Sequence, residues 1–160
     1  MAERKRSKIF LDSNVILSGL FSDRGAPRII LDLLTLGLLM LTGSTGRYNL
    51  LEVERNLKKK MPAALPIYHK YLSSLSLDII PLPTPETVKS MSGVIADKDI
   101  PVLASAVASG SDCLVTGDKK DFDKIKGNEE YTLTIVSPAE FVEKVFPEII
   151  AEWYKTEGEE

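Results

Sequence analysis

The sequence predicts an α/β protein: a three-layer α/β/α arrangement around a central, mainly parallel sheet of four to five strands. Three observations carry that expectation. Short apolar runs alternate with helical patterns along the chain, which is the signature of βαβ units with helices on both faces of a sheet. A length of 160 residues is that of one domain, able to bury a substantial core without staples. Apolar residues make up 44% and charged residues 27%, an ordinary globular balance that excludes fibrous, collagenous and disordered classes.

Taken in order, residues 8–12 give the first strand, apolar and β-branched up to an aspartate. Pro27 suits the first turn of a helix that runs to about Leu36, where Gly37 stops it. The apolar run at 38–44 reads as a second strand ended by turn residues. Residues 47–60 are helical in pattern: Leu50, Leu51, Val53 and Leu57 form an apolar stripe, and Lys58, Lys59 and Lys60 complement the dipole at the end. After a break at Pro62, residues 63–75 form another helix with Pro66 near its start. A third strand is expected at 77–83 and a short helix from Pro85 to about Gly93. Residues 99–110 carry a full set of helix signals: Asp99 as N-cap, Pro101 in the first turn, Gly110 past the end. "DCLVTGD" and "LTIVSP" supply the fourth and fifth strands, and Ser137 with Pro138 opens a last helix through Phe146. Residues 1–147 are expected to form the single domain, with 148–160 a helical extension ending in a frayed tail.

The formal charge of −3 and pI near 5.3 give no basic footprint of a nucleic-acid binder, unless clustered acids hold a cation that reverses the local charge. Cys113 is the only cysteine, so no internal disulfide forms, in keeping with a reducing cytosol; its apolar setting predicts burial. The basic start "MAERKRSK" is not read as a signal peptide, because Asp12 and Asn14 break the apolar stretch behind it and no small-residue cleavage site follows. The most apolar segment, 29–41, contains Asp32 and is too short to span a bilayer. The expectation is a soluble, cytoplasmic protein without a membrane contact.

In an open parallel sheet, ligands bind outside the carboxyl ends of the strands. Asp12 ends the first strand and Asp118 follows "CLVTG". Asp97 and Asp99 sit just before the helix "PVLASAVAS", and Glu52 and Glu54 lie in the helix after the second strand. Singly, Asp99 reads as an N-cap, Asp118 as turn chemistry, and Glu52 or Glu54 as part of a solvated face. Together they place two strand-end aspartates and a helix-opening aspartate at one rim. Crowded carboxylates repel unless a positive group lies between them, and a hard divalent ion, Mg²⁺ or Mn²⁺, accepts all-oxygen ligands. One such ion or two can activate water and stabilise an in-line phosphoryl displacement. No His or Cys cluster exists for zinc; His69, the sole histidine, is expected to pack or face solvent in its helix.

The segments "FLDSNVILSGL", "LLEVERNL", "DKDIPVLASAVASGSDCLVTGDKKDF" and "IVSPAEFV" resemble a PIN domain over roughly residues 7–146, the third segment being the most specific. The resemblance implies a metal-dependent endoribonuclease with a parallel sheet, of the kind found as VapC-like toxins of toxin–antitoxin pairs. It implies Asp12, Glu52, Asp99 and Asp118 as catalytic acids, with Asp12, Asp99 and Asp118 as metal ligands and Glu54 as the alternative to Glu52. Asn14 and Thr116 match polar residues that orient such a site, and Asp97 and Asp121 are nearby auxiliary acids. An RNA substrate, an antitoxin protein and a homodimer are the partners it implies, and Mg²⁺ or Mn²⁺ the cofactor. Positive surface for RNA is sought at Arg24, Arg28, Lys119 and Lys120, and at Arg4, Lys5, Arg6 and Lys8; Lys58 to Lys60 are read as a solvated face.

Two other functions are weighed. A catalytically silent domain of the same kind would bind RNA or protein without cutting. A phosphatase of the haloacid dehalogenase type also places an aspartate after its first strand. That chemistry needs a second aspartate two residues on, where this chain has Asn14, an amide that cannot act as a general acid.

Overall fold

A computed structural model describes residues 4–158, with side chains to Lys155. Five strands form one all-parallel sheet in the order β3-β2-β1-β4-β5: β1 Ser7–Leu11, β2 Leu41–Gly46, β3 Asp78–Ile80, β4 Cys113–Val115 and β5 Thr134–Val136. The chain winds outward from β1 through β2 to β3, then crosses back to add β4 and β5 on the other side of β1. The strand order therefore reverses between β1 and β4, which pair with Leu11 opposite Val115.

Side chains alternate across this sheet, as a two-residue period requires. Ile9, Leu11, Cys113, Val115 and Val136 enter one core, packed with Val15, Ile16, Ile30, Leu31, Leu50, Val53, Leu57, Tyr68 and Phe141. Phe10, Leu114 and Ile135 enter a second core with Ile100, Val102, Leu103, Phe122 and Ile125. The first core lies under helices α1 (Ser13–Phe21), α2 (Ala26–Thr35), α3 (Arg47–Lys60) and α4 (Leu65–Ser74). The second lies under α5 (Pro85–Ser90) and α6 (Ile100–Ala108). The expected three-layer α/β/α fold is thus present. Cys113 is buried as expected.

Helix α1 had no sequence expectation of its own. Val15, Ile16 and Gly19 bury one face of "SNVILSGLF", but Asn14 and Ser18 share the open face with Phe21, which is 54% exposed, so no clean polar stripe marks the helix. Gly19 permits the close approach of α2, since a Cβ there would meet Leu31 Cγ at 2.9 Å and the Pro27 carbonyl at 3.1 Å.

The second strand is displaced from its expected position, from 38–44 to Leu41–Gly46. Leu38 to Met40 form a turn instead, and the strand proper is "LTGSTG", whose small residues are needed under the helix layer. A Cβ at Gly43 would meet Leu77 Cδ2 at 2.8 Å and Leu34 Cδ1 at 2.9 Å. The third strand is shorter than expected because Pro81 and Pro83 cannot donate to a ladder.

After β5, Ser137 and Glu140 form a reciprocal capping box at the start of α7 (Pro138–Glu140). The chain continues through one wide turn, in which the Phe146 amide donates to the Phe141 carbonyl, into α8 (Phe146–Gly158). The wide turn falls just before Pro147, which lacks the donor a regular turn would use. The helical run therefore continues across the expected boundary between residues 147 and 148. Ile149 and Trp153 of α8 pack against the first core. Of the expected frayed tail, residues 159–160 lie outside the described residues. Among the described residues, no helix is long and apolar enough to cross a membrane.

Candidate metal centre

The reversal of strand order between β1 and β4 opens a crevice at their carboxyl ends. Asp12 leaves β1 there, and Asp118 leaves β4 three residues past Val115. A cavity of about 320 Å³ occupies the place, lined by Asp12, Glu52, Asp99 and Asp118 together with Ser13, Asn14, Tyr48, Asn56 and Lys98. Four carboxylates thus reach one cavity from four separate parts of the chain.

Asp12 is the most firmly held. It is 7% exposed and doubles as the N-cap of α1. Its Oδ1 accepts from the Ser13 amide at 2.8 Å and from Asn49 Nδ2 at 3.2 Å. Its Oδ2 accepts from Thr116 Oγ1 at 2.8 Å. Thr116 in turn accepts from the Asp118 amide at 3.0 Å, so one hydroxyl ties both strand-end aspartates. Asn14 does a similar job at the rim: Nδ2 donates to Asp118 Oδ2 at 2.9 Å, and Oδ1 accepts from the Gly117 amide at 3.0 Å. Ser13 Oγ links the first strand to α3, donating to Glu52 Oε1 at 3.1 Å and lying 3.3 Å from Asp12 Oδ1.

Asp99 does not have its expected N-cap role. It closes a tight turn over Asp97–Asp99, its backbone is already helical (φ −98°, ψ −11°), and its side chain makes no cap bond. Its Oδ2 is buried and accepts no hydrogen bond, with Lys98 Nζ standing 3.8 Å away. A buried carboxylate oxygen without a donor is costly unless a charge satisfies it.

The electrostatics agree with crowding. Burial first, then the field of Asp118, raises the carboxyl pKa of Asp12 against the pull of its hydrogen bonds from Thr116 and Ser13. Burial, with Asp12 and Asp99 nearby, raises that of Glu52. Burial also raises that of Asp99, helped by Asp121, Asp12 and Asp118 and opposed by Lys98. Tyr48 at the cavity wall is raised by burial and by Glu52.

A PIN domain profile matches residues 8–120, more than two thirds of the chain and all four carboxylates. The chain belongs to the PIN domain family. Among solved structures, PAE2754 from Pyrobaculum aerophilum superposes with a TM-score of 0.58 at 19% identity, covering 91% of this chain and 96% of that one. VapBC2 from Rickettsia felis, solved bound to a DNA fragment from the promoter, superposes with a TM-score of 0.54 at 18% identity, covering 81% and 98%. At these identities the two share the fold with this PIN domain. No curated protein sequence matches the chain.

Within the PIN domain, the remaining candidates fall into two groups. Glu54 faces away from the centre, into a separate cavity of about 390 Å³ with Leu51, Arg55, Lys58, Leu65 and His69. Asp97 is exposed and does not line the centre. Asp121 stands at its edge, accepting from Lys98 Nζ at 3.3 Å.

The basic candidates are mostly engaged elsewhere. Lys119 donates to both Glu140 oxygens at 2.8 and 3.0 Å. Arg28 pairs with Asp32 at 3.1 Å and lies over the Tyr71 ring. Arg24 sits 3.7 Å from Asp23 on an exposed loop, and Lys120 is exposed. Lys5, Arg6 and Lys8 lie at the amino end of β1, the far end from the centre, where they meet Asp112, the Leu39 carbonyl and Asp78. Arg4 lies over the Trp153 ring.

Sequence reasoning missed Ser13, Asn49, Tyr48 and Lys98 as members of the centre. Asn49 is fully buried yet polar, one turn before Glu52 in α3; its spacing was the available signal.

The donors fit a hard divalent cation: all are oxygens, one of them buried and without a donor, and three of the four carboxyls are destabilised in the charged form. Among the described residues, no three Asp, Glu, His or Cys side chains already stand as a closed ligand set. Asp12, Asp99 and Asp118 are the residues that would hold such an ion, with Glu52 beside them.

Proposed function

We propose that this PIN domain is an endoribonuclease that hydrolyses RNA phosphodiester bonds with Mg²⁺ or Mn²⁺. The observation that supports this best is the convergence of Asp12, Glu52, Asp99 and Asp118 on one cavity at the switch point of the sheet. Asp12, Asp99 and Asp118 hold the ion, and Glu52 is the fourth acid. A bound divalent ion supplies a Lewis acid for the phosphate and lowers the pKa of a coordinated water.

The chain's own residues do the positioning. Thr116 and Asn49 fix Asp12 from two sides, Asn14 fixes Asp118, and Ser13 keeps Glu52 beside Asp12. Burial and the neighbouring carboxylates raise the Glu52 carboxyl pKa, which suits this fourth acid to exchange a proton.

The same reading makes the protein cytoplasmic, a toxin with an antitoxin partner, and a homodimer. The VapBC2 neighbour supports the first partner by fold alone. A silent binding domain is the second reading; the open arrangement of the carboxylates favours it. The phosphatase reading lacks its general acid, since Asn14 is committed as a donor to Asp118.

Cleavage of single-stranded RNA with and without Mn²⁺ separates the first two. The nuclease cuts only with metal and loses at least about a hundredfold on Asp12→Asn and on Asp118→Asn while remaining folded. Binding without cutting, or cutting indifferent to both substitutions, overturns it.

A further inference from the structure

Lys98 is the one basic side chain among those lining the acidic cavity. It comes from the tight turn Asp97–Asp99 that opens onto α6. Its ammonium bridges two acids, 3.3 Å from Asp121 Oδ2 and 3.8 Å from Asp99 Oδ2. Asp99 is nearly buried there, its side chain 14% exposed, whereas the lysine is 72% exposed. The lysine is thus tethered to the centre but free to swing, because exposed ion pairs hold weakly.

The charge balance shows what such a cation can do. Four lining carboxylates against one ammonium leave three formal negative charges. A divalent ion leaves one, and an approaching phosphodiester meets that remainder. Without the lysine the remainder is doubled. Of the other candidate cations, Lys119 pairs with Glu140, Arg28 with Asp32 and Arg24 with Asp23, and Lys120 is exposed; none of them lines the cavity. An ammonium that rests against Asp99 opposes a cation arriving on that carboxylate, and once displaced it is the positive group at hand for a phosphate oxygen.

We infer that Lys98 is a dual-purpose cation of this centre: it competes with the divalent ion for Asp99, and when the ion displaces it, it binds the phosphate of the RNA substrate. The inference rests on the nuclease reading and adds a substrate-binding residue to it. It is distinguished from a structural role by effects of opposite sign.

The test compares wild type, Lys98→Gln and Lys98→Arg in two measurements, with circular dichroism checking the fold. The first is Mn²⁺ titration by calorimetry without RNA. The second is steady-state cleavage of a short single-stranded oligoribonucleotide. Lys98→Gln is expected to bind Mn²⁺ about threefold tighter, the scale of an exposed pair. It is also expected to raise KM about tenfold, the scale of one charge-assisted contact, with kcat little changed. Lys98→Arg keeps the wild-type KM. Unchanged or weaker Mn²⁺ binding in Lys98→Gln, or an unchanged KM, overturns the inference while leaving the nuclease intact. If wild type itself takes up no Mn²⁺, the nuclease reading falls, and this one with it.

Discussion

Asp12 stands under two opposing demands. As the cap of α1 it accepts the Ser13 amide and stabilises the fold; as a carboxylate buried beside Asp118 it is unfavourable when charged. Burial dominates, so its pKa in the folded protein lies above the unfolded value. The sign follows: the folded state binds the proton more tightly, so the group's contribution is fully present below 3.8 and is lost as pH rises through the folded value. An asparagine keeps the acceptor for Ser13 and can turn its amide toward Thr116, without the charge. Asp12→Asn is therefore expected to melt higher than wild type at pH 7 in EDTA, the gap closing toward pH 3.8. Thermal denaturation across that range checks it; a variant less stable at every pH means that the hydrogen bonds, and not burial, govern Asp12. A buried acid that reduces stability in the absence of a ligand is a common form of the stability–function trade-off.

At the scale of elements, legibility followed local chemistry. Helices α3, α4 and α6 were readable because each carries its own stripe, proline or terminal signal. Strand β2 was misplaced by three residues because Leu38 to Met40 look more like core than "LTGSTG" does; the glycine that admits Leu34 and Leu77 is dictated by tertiary packing. Helix α1 was invisible because the apolar Phe21 lies on its open face and blurs the period of 3.6. The acids at strand ends were readable, since a charge after an apolar run needs a reason. Ser13 and Asn49 were not, because a hydroxyl or amide becomes a site residue only through its neighbours in space. Lys119 illustrates the same limit, reading as positive surface for RNA when it in fact ties the segment after β4 to α7 through Glu140. That contact, with the Ser137 amide second, pulls the Glu140 pKa from 4.5 down to about 2. A lowered acid contributes stability above its unfolded value and loses it as pH falls through the folded one. Between pH 4.5 and 2, wild type should lose more melting temperature than Glu140→Gln, which has no such proton to take up. Parallel acid limbs for the two proteins would show that the pair contributes nothing, as many half-exposed pairs do.

For the molecule as a whole, the two halves of the sheet meet only at β1 and β4, and the acidic centre sits on that seam. Asp12 and Glu52 come from the β1–β2 side, Asp99 and Asp118 from the segments leading into and out of β4. A cation held by these four acids would relieve the repulsion between the two sides, so metal binding should appear as global stability. A ligand at a hundred times its Kd adds about 2.7 kcal/mol when only the folded state binds it. For a chain of this size that corresponds to a rise of about 5 to 10 °C in Tm. The rise should be larger at pH 8 than at pH 5, because Asp12, Glu52 and Asp99 hold their protons above the ordinary carboxylate range and the ion must displace them. Differential scanning fluorimetry with Mn²⁺ against EDTA reads this directly. Loose binding to surface acids would shift Asp12→Asn as much as wild type, whereas ligation at the seam leaves the variant nearly unmoved. An equal shift in the two proteins, or none in either, removes the cation from the seam and leaves the four carboxylates without a shared purpose.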